Sequence, residues 1–212
     1  MYTADYQTAG RGRLDHKWIS APCENLMLST VLDVNGIAIE EAATLPLVAG
    51  LAVANAVMQF IGECNAQLKW PNDVLVDGRK IAGILCERVG EKVIVGIGVN
   101  VRQAQFPSEI AARATSISIL AGASSVSVND VRDAVLSEIA RLYNAWRNGG
   151  FMAVYPDLRR IDFLRGKIVA VKQTDSDDEP ARGTCGGIMS DGSLEIGGIR
   201  VYAGEAHVEE IQ

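Results

Sequence analysis

Apolar residues recur along this chain with two different periods. "NLMLSTVLDV" (25–34) is a short, nearly continuous apolar run and reads as a buried strand. "EKVIVGIGVNV" (91–101) alternates. Val93, Val95, Ile97, Val99 and Val101 fall on one face, and Ile94, Gly96, Gly98 and Asn100 on the other. "QLKWPNDVLV" and "RKIAGILCE" are two more strand-like runs, joined by Asp77-Gly78, a strong hairpin signal. A two-residue loop there pairs Val76 with Arg79, Leu75 with Lys80 and Asp73 with Ala82. That register predicts Asp73, Leu75, Lys80 and Ala82 on one face, and Val74, Val76 and Ile81 toward a helix layer.

Helical periods separate these strands. Residues 45–63 predict a buried helix, with Pro46 in its first turn and Thr44 as its N-cap. Residues 128–148 place Val131, Val135, Leu136, Ile139, Leu142, Tyr143 and Trp146 on one stripe. That helix is capped by Asn129 or Asp130 and ends at Gly149-Gly150. From about residue 165 the texture becomes short strands punctuated by turns, including Ser190-Asp191-Gly192. This predicts a small SH3-like β-barrel packed on the main domain, too small to be robust alone. The acidic run from Asp175 to Glu179 reads as a solvated hairpin loop.

Composition narrows the class. The chain has 212 residues, 48% of them hydrophobic and 22% charged, which suits one ordinary domain or a large and a small one. Its formal net charge of −6 argues against a broad nucleic-acid or anionic-membrane surface, since both need a basic field. Cys23, Cys64, Cys86 and Cys185 are widely spaced without a C-x-x-C pair, so neither a zinc site nor a redox motif is indicated. Cys64 and Cys86 read as small core hydrophobes. No secretory signal and no apolar run of membrane-spanning length stand out, so a cytoplasmic protein is expected.

Against this acidic background, "TAGRGRLDHKWIS" (8–20) is a glycine-rich cationic loop. Gly10 and Gly12 remove bulk where Arg11 and Arg13 project, and Lys17 and Trp18 follow. Asp73 and Lys80 are diagonal neighbours across the hairpin, and a surface salt bridge is the ordinary explanation for such a pair. Lys69, Trp70, Pro71 and Asn72 crowd the same strand, and a proline inside a strand interrupts its ladder. Gly96 and Gly98 leave one strand face nearly bare, as close approach by a helix or a ligand requires. One chemistry unites the three features. A carboxylate and a nucleotide α-phosphate repel each other, and joining them needs cations between them.

These residues together resemble the biotin protein ligase family. The matching segments are "DYQTAGRGR", "KWPNDVLVDGRKIAGILCE" and "VIVGIGVNV", in the family's order and spacing. The resemblance implies an α/β (α+β) class II synthetase-like catalytic domain, with a mixed sheet and flanking helices over residues 1–163. An SH3-like C-terminal domain would occupy 164–212. It implies ATP-dependent formation of biotinyl-5′-AMP, then transfer of biotin to a lysine of a biotin carboxyl carrier domain. That carrier would belong to acetyl-CoA carboxylase or another biotin-dependent carboxylase. Two alternatives stay open: a lipoate-type ligase, and a non-catalytic biotin-binding or regulatory module.

By the same resemblance, Gln7, Gly10, Arg11, Gly12 and Arg13 belong to a loop that closes on biotin and its adenylate. Lys80 stands at the carboxylate and α-phosphate, and Gly83, Gly96 and Gly98 wall the ureido ring. Lys69, Asn72 and Asp73 lie at the phosphate, metal and acceptor-lysine end, with Asp73 placed to accept a proton. Asn100 is on the nucleotide side, and Trp18 or, more weakly, Phe106 stacks on adenine. Mg²⁺ is implied by the ATP chemistry, near Asn72 and Asp73. Two departures stand out: Asp15-His16 replaces the usual Gly-Arg of the loop, and the family's Ser-Thr-Asn segment is absent before Met1. The second suggests an internal start and a longer native protein. No DNA-binding domain, nucleic-acid partner or membrane partner is expected, and the protein is a monomer or a homodimer.

Overall fold

The computed structural model describes residues 1–14, 16–122, 126–172 and 179–209. The run Asp175–Glu179 falls almost wholly outside the described residues, as does Asp15. In chain order the elements are β1 (Tyr2–Thr3), β2 (Leu26–Asp33), α1 (Ile39–Ala42), α2 (Leu45–Met58), β3 (Ala66–Lys69), β4 (Asp73–Val76), β5 (Arg79–Val89) and β6 (Lys92–Val99). Then follow α3 (Ser108–Ala111), α4 (Ile117–Ala121), α5 (Val128–Gly149), a 3₁₀ turn (Phe151–Ala153) and α6 (Tyr155–Arg160). The chain closes with β7 (Ile168–Lys172), β8 (Ala181–Ile188), β9 (Leu194–Ile196), β10 (Ile199–Val201) and β11 (Glu205–Val208).

The first sheet has the order β1-β2-β6-β5-β4-β3. Every pair of neighbours in it is antiparallel. The expected mixed sheet is therefore corrected: among the described residues, parallel pairing is confined to the isolated bridges Leu68–Asp162 and Lys80–Ala114. One face is covered by α2 and α5. The alternation of β6 holds, with Val93, Val95, Ile97, Val99 and Val101 all buried in the core. Helix α5 presents Val131, Val135, Ile139, Leu142 and Trp146 to the same core. Its N-cap is Ser127, whose Oγ accepts from Asp130 N, rather than Asn129 or Asp130.

Helix α2 is apolar nearly all round because it is enclosed by the sheet and α5. The segment Ile39–Met58 reaches the length and hydropathy of a membrane span, contrary to expectation, and 72% of its most apolar window is buried inside the fold. Thr44 precedes α2 but makes no side-chain cap. Its Oγ1 instead donates to Glu41 O and accepts from Trp146 Nε1 at 3.0 Å, which ties the start of α2 to the end of α5.

The β4–β5 hairpin turns through Asp77 (φ 50°) and Gly78 (φ 73°), the two left-handed residues that a tight hairpin loop demands. Val76 pairs with Arg79 and Leu75 with Lys80, as expected. A bulge then shifts the register, so Val74 pairs with Ala82 and Asp73 with Gly83. Ile81 and Ala82 are both buried in the core, and Gly83 takes the open face that alternation had given to Ala82. Burying two consecutive apolar side chains drives the bulge.

The second sheet has the order β10-β9-β8-β7-β11, again antiparallel throughout. Its apolar residues, among them Val169, Ile188, Leu194 and Val201, join the same contiguous core as the first sheet. Three polar ties fasten the sheets together. Trp70 Nε1 donates to Gly192 O at 3.1 Å, and Tyr155 Oη donates to Ile188 O at 3.0 Å. The buried Asp162 carboxylate accepts from Ile188 N at 2.8 Å and Leu164 N at 3.1 Å. Burial raises its pKa, and the backbone N–H groups only partly offset that.

Candidate functional site

On the open face of the first sheet lies a cavity of about 870 Å³, bounded by the Gly/Arg loop, by residues 106–114 and by β11. Its floor follows from register. Asp73 pairs with Gly83, Gly83 with Gly98, and Gly98 with Met27, so a row of backbone positions crosses β4, β5, β6 and β2. Gly96 lies one step further along β6. A Cβ built there would meet only Leu85, at 3.5 Å and beyond, so the space above Gly96 is open to a ligand.

The other two floor glycines are bare for a different reason. A Cβ on Gly98 would stand 2.5 Å from the Trp18 indole. One on Gly83 would stand 3.2 Å from Lys80 Cε and 3.4 Å from Trp18. The indole therefore packs on the glycine floor, and Lys80 Nζ sits 5.9 Å from its ring centroid. Trp18, expected to stack on adenine, thus lines the cavity directly over the glycine floor. Its Nε1 is buried without an acceptor among the described residues.

Lys80 is the best-anchored cation of the site. Its backbone N donates to Arg113 O at 2.7 Å, and its O accepts from Thr115 N at 2.9 Å. Its Nζ lies 2.6 Å from Asp73 Oδ1, although no hydrogen bond of good angle reaches that buried oxygen. Lys69, at the end of β3, is register partner to Asp73. Burial lowers the Lys69 pKa; Asp73 and Glu205 oppose the shift, and Lys80 and Arg113 reinforce it. Burial likewise lowers that of Arg13, opposed by Asp73 and Glu205. Crowded cations that are losing water are stabilised by an incoming anion.

The loop is held at both ends of the cavity. Arg11 pairs with Glu87 at 3.0 Å on the rim, with its side chain largely exposed. Arg13 Nη1 donates to Gly204 O at 3.1 Å, just before β11. Gln7, Gly12 and Phe106 line the cavity. Gly10 does not: it packs against the Trp18 carbonyl, where a Cβ would clash, and its own O accepts from Trp18 N. Asn72 and Asn100 line the cavity, but their amide nitrogens donate to Ile84 O at 2.7 Å and Thr115 O at 3.0 Å. Both amides thus serve as structural ties within the cavity lining. Burial pushes the Cys86 thiol up to about 12, which disfavours the reactive thiolate.

Arg113 and Glu205 were missed at sequence level. Nothing local marks either one, and each reaches the site only through tertiary contact. Among the described residues no group of three His, Cys, Asp or Glu side chains could hold a metal ion by itself. Asp73 and Asn72 provide at most a carboxylate and an amide, which suits a hard cation that arrives already bound to phosphate oxygens.

A bare sheet floor beside clustered cations suits a small anionic ligand. Residues 1–103 match the model of the biotin/lipoate A/B protein ligase family. The biotin protein ligase of Aquifex aeolicus in complex with biotin and ATP superposes with a TM-score of 0.86 at 30% identity, covering 99% of this chain and 88% of that one. The chain belongs to the biotin protein ligase family. It is 39% identical over 147 residues to the biotin–[acetyl-CoA-carboxylase] ligase of Mycobacterium tuberculosis, covering 68% of this chain and 54% of that protein. To the corresponding ligase of Paracoccus denitrificans it is 44% identical over 100 residues, covering 44% of this chain and 41% of that protein. The matched region thus spans about half or less of these curated relatives.

Proposed function

We propose that this chain activates biotin with ATP and transfers it to a lysine of a carrier domain. The observation that carries this is Lys80, held by its backbone on both sides and set between Asp73 and the glycine floor. In the first step a biotin carboxylate oxygen attacks the α-phosphorus of ATP. The bond to the β-phosphate oxygen breaks, and pyrophosphate leaves. Lys80 neutralises the two anions as they approach, and Arg13 and Lys69 spread the charge that develops on the phosphates. The ureido ring rests over Gly96 and beside Gly83. Asp73 and Asn72 would hold a Mg²⁺ ion bound to ATP, which would supply charge neutralisation on the phosphates.

In the second step the acceptor amine attacks the acyl carbonyl, and AMP leaves. Asp73 takes the proton from the amine. The closed Gly/Arg loop keeps water from the mixed anhydride. The relatives named as acetyl-CoA-carboxylase ligases support a carboxylase carrier as the acceptor. Pyrophosphate exchange into ATP tests the activation step. Exchange that depends on biotin and not on lipoate supports it; exchange driven by lipoate, or by neither acid, overturns it.

A further inference from the structure

Where the β2–β6 ladder stops, at Leu26 and Val99, two buried side-chain amides carry the pairing on. Asn25 and Gln103 are 2% and 4% exposed, and neither lines the cavity under the Gly/Arg loop. Asn25 Oδ1 accepts from Val101 N at 2.9 Å. Asn25 Nδ2 donates to Gln103 Oε1 and, at 3.1 Å, to Ser20 Oγ. Gln103 Oε1 also accepts from Ala21 N at 3.4 Å, and Gln103 Nε2 donates to Gln105 O at 3.0 Å. Each amide nitrogen and oxygen of the pair thus has a partner, as burial demands.

Two walls of the cavity have a foot on this pair. Ser20 and Ala21 lie where the Gly/Arg loop returns toward β2. On the other side, the excursion 104–114 brings Phe106 and Arg113 to the cavity. It departs through Gln105, which Gln103 holds. It comes back beside Val101, the residue that Asn25 fixes. There Thr115 O accepts from Asn100 Nδ2 at 3.0 Å, and Ser118 N donates to Val101 O at 2.9 Å. Neither 18–21 nor 103–107 belongs to a helix or a strand, so no strand ladder holds these feet.

We infer that Asn25 and Gln103 are positioning residues: their paired amides hold the outgoing arm of the Gly/Arg loop and the 104–114 wall to one anchor, so that the two walls stand at a set spacing before any ligand arrives. Filling the gap alone does not call for amides, because apolar side chains of the same shape are about as stabilising. Amides add direction, since each bond fixes a separate segment at one distance and angle. With the pair broken, the walls sample open arrangements. The apparent affinity for each ligand then falls in proportion to the fraction that stays closed. The bound complex is closed in either case, so turnover changes little. This consequence for catalysis rests on the biotin and ATP reading above; the positioning itself does not.

Trp18 stands just before Ser20 and reports the outgoing arm. Trp70 and Trp146 are 2% and 1% exposed, so in ligand-free protein acrylamide reaches Trp18 first. Gln103→Met keeps the bulk and takes the acceptor from Asn25 and Ala21, and the Stern–Volmer constant should rise about twofold. Gln103→Glu keeps that acceptor and should lie closer to wild type. Ser20→Ala removes only the tie at the foot of the loop and should give a smaller rise. It carries the test if far-UV circular dichroism shows that Gln103→Met has lost its fold. In pyrophosphate exchange, Gln103→Met should raise KM for biotin and for ATP about tenfold each, with kcat within about twofold. A merely structural loss would lower the active fraction, and so kcat, at constant KM. Unchanged quenching in Gln103→Met, or in Ser20→Ala where the first variant unfolds, overturns the proposal. So does a fall in kcat without a rise in KM, or a rise in one KM alone. Absence of exchange in the wild-type protein overturns the biotin reading and leaves quenching to decide the positioning.

Discussion

The indole of Trp18 packs on the bare backbone of Gly98, so closely that a Cβ there would stand 2.5 Å from the ring. The two alternate glycines of β6 thus have different uses. Gly96 leaves room for a ligand, and Gly98 leaves room for the protein's own loop. Gly98→Ala should therefore push Trp18 off the floor and open the loop, at a cost of about 1–3 kcal/mol for the overpacked contact. Acrylamide quenching of ligand-free protein should rise, and biotin affinity should fall at least tenfold, in line with about 1.4 kcal/mol per decade. Quenching unchanged from wild type would show that the indole does not depend on this glycine.

Lys80→Ala should leave the fold intact and nearly abolish biotin-dependent ATP–pyrophosphate exchange. The side chain is half-exposed, and its backbone hydrogen bonds to Arg113 and Thr115 do not involve Nζ. Losing the cation between two anions should remove about 3–4 kcal/mol of transition-state stabilisation, a hundredfold or more in rate. Near-normal exchange would remove Lys80 from the chemistry.

Arg13→Ala should act on retention rather than on activation. Arg13 anchors the loop through Gly204 O and carries a charge that burial disfavours until an anion arrives. Release of biotinyl-5′-AMP after a single turnover should speed up by about tenfold, because weakening a clamp is felt mainly in the off-rate. Unchanged release with weakened ATP binding would assign Arg13 to the triphosphate instead.

Asp162→Asn should destabilise the join between the sheets by about 1–3 kcal/mol, since one of the buried backbone donors at Ile188 and Leu164 loses an acceptor. Its pH dependence has a defined sign. Burial raises the folded pKa of Asp162 above 3.8, so the folded state holds that proton longer than the unfolded state does. The contribution of Asp162 is largest below pH 3.8 and declines as pH rises through the folded value. Urea unfolding of both proteins from about pH 4 to about pH 7 should show the wild-type advantage shrinking over that window. An advantage that grows with pH would mean the carboxylate is stabilised, not penalised, by its site.

The sequence by itself determined the strand faces and the hairpin. Strict alternation in β6 can bury its valines in only one way, and Asp77-Gly78 accepts the left-handed backbone that a tight turn needs. The motif around Lys69–Asp73 and Lys80 was legible because neighbours in a hairpin are neighbours in space. The bulge was not legible: burying both Ile81 and Ala82 depends on a helix layer that period-two counting does not contain. Nor was the position of Trp18, which is set by the loop's ties to Glu87 and Gly204. The places of Arg113 and Glu205 at the site were decided by tertiary structure alone. A lone charged residue in a loop or a short strand carries no periodic signal. Its role arises when packing of the two sheets brings distant segments within reach of one another's charges.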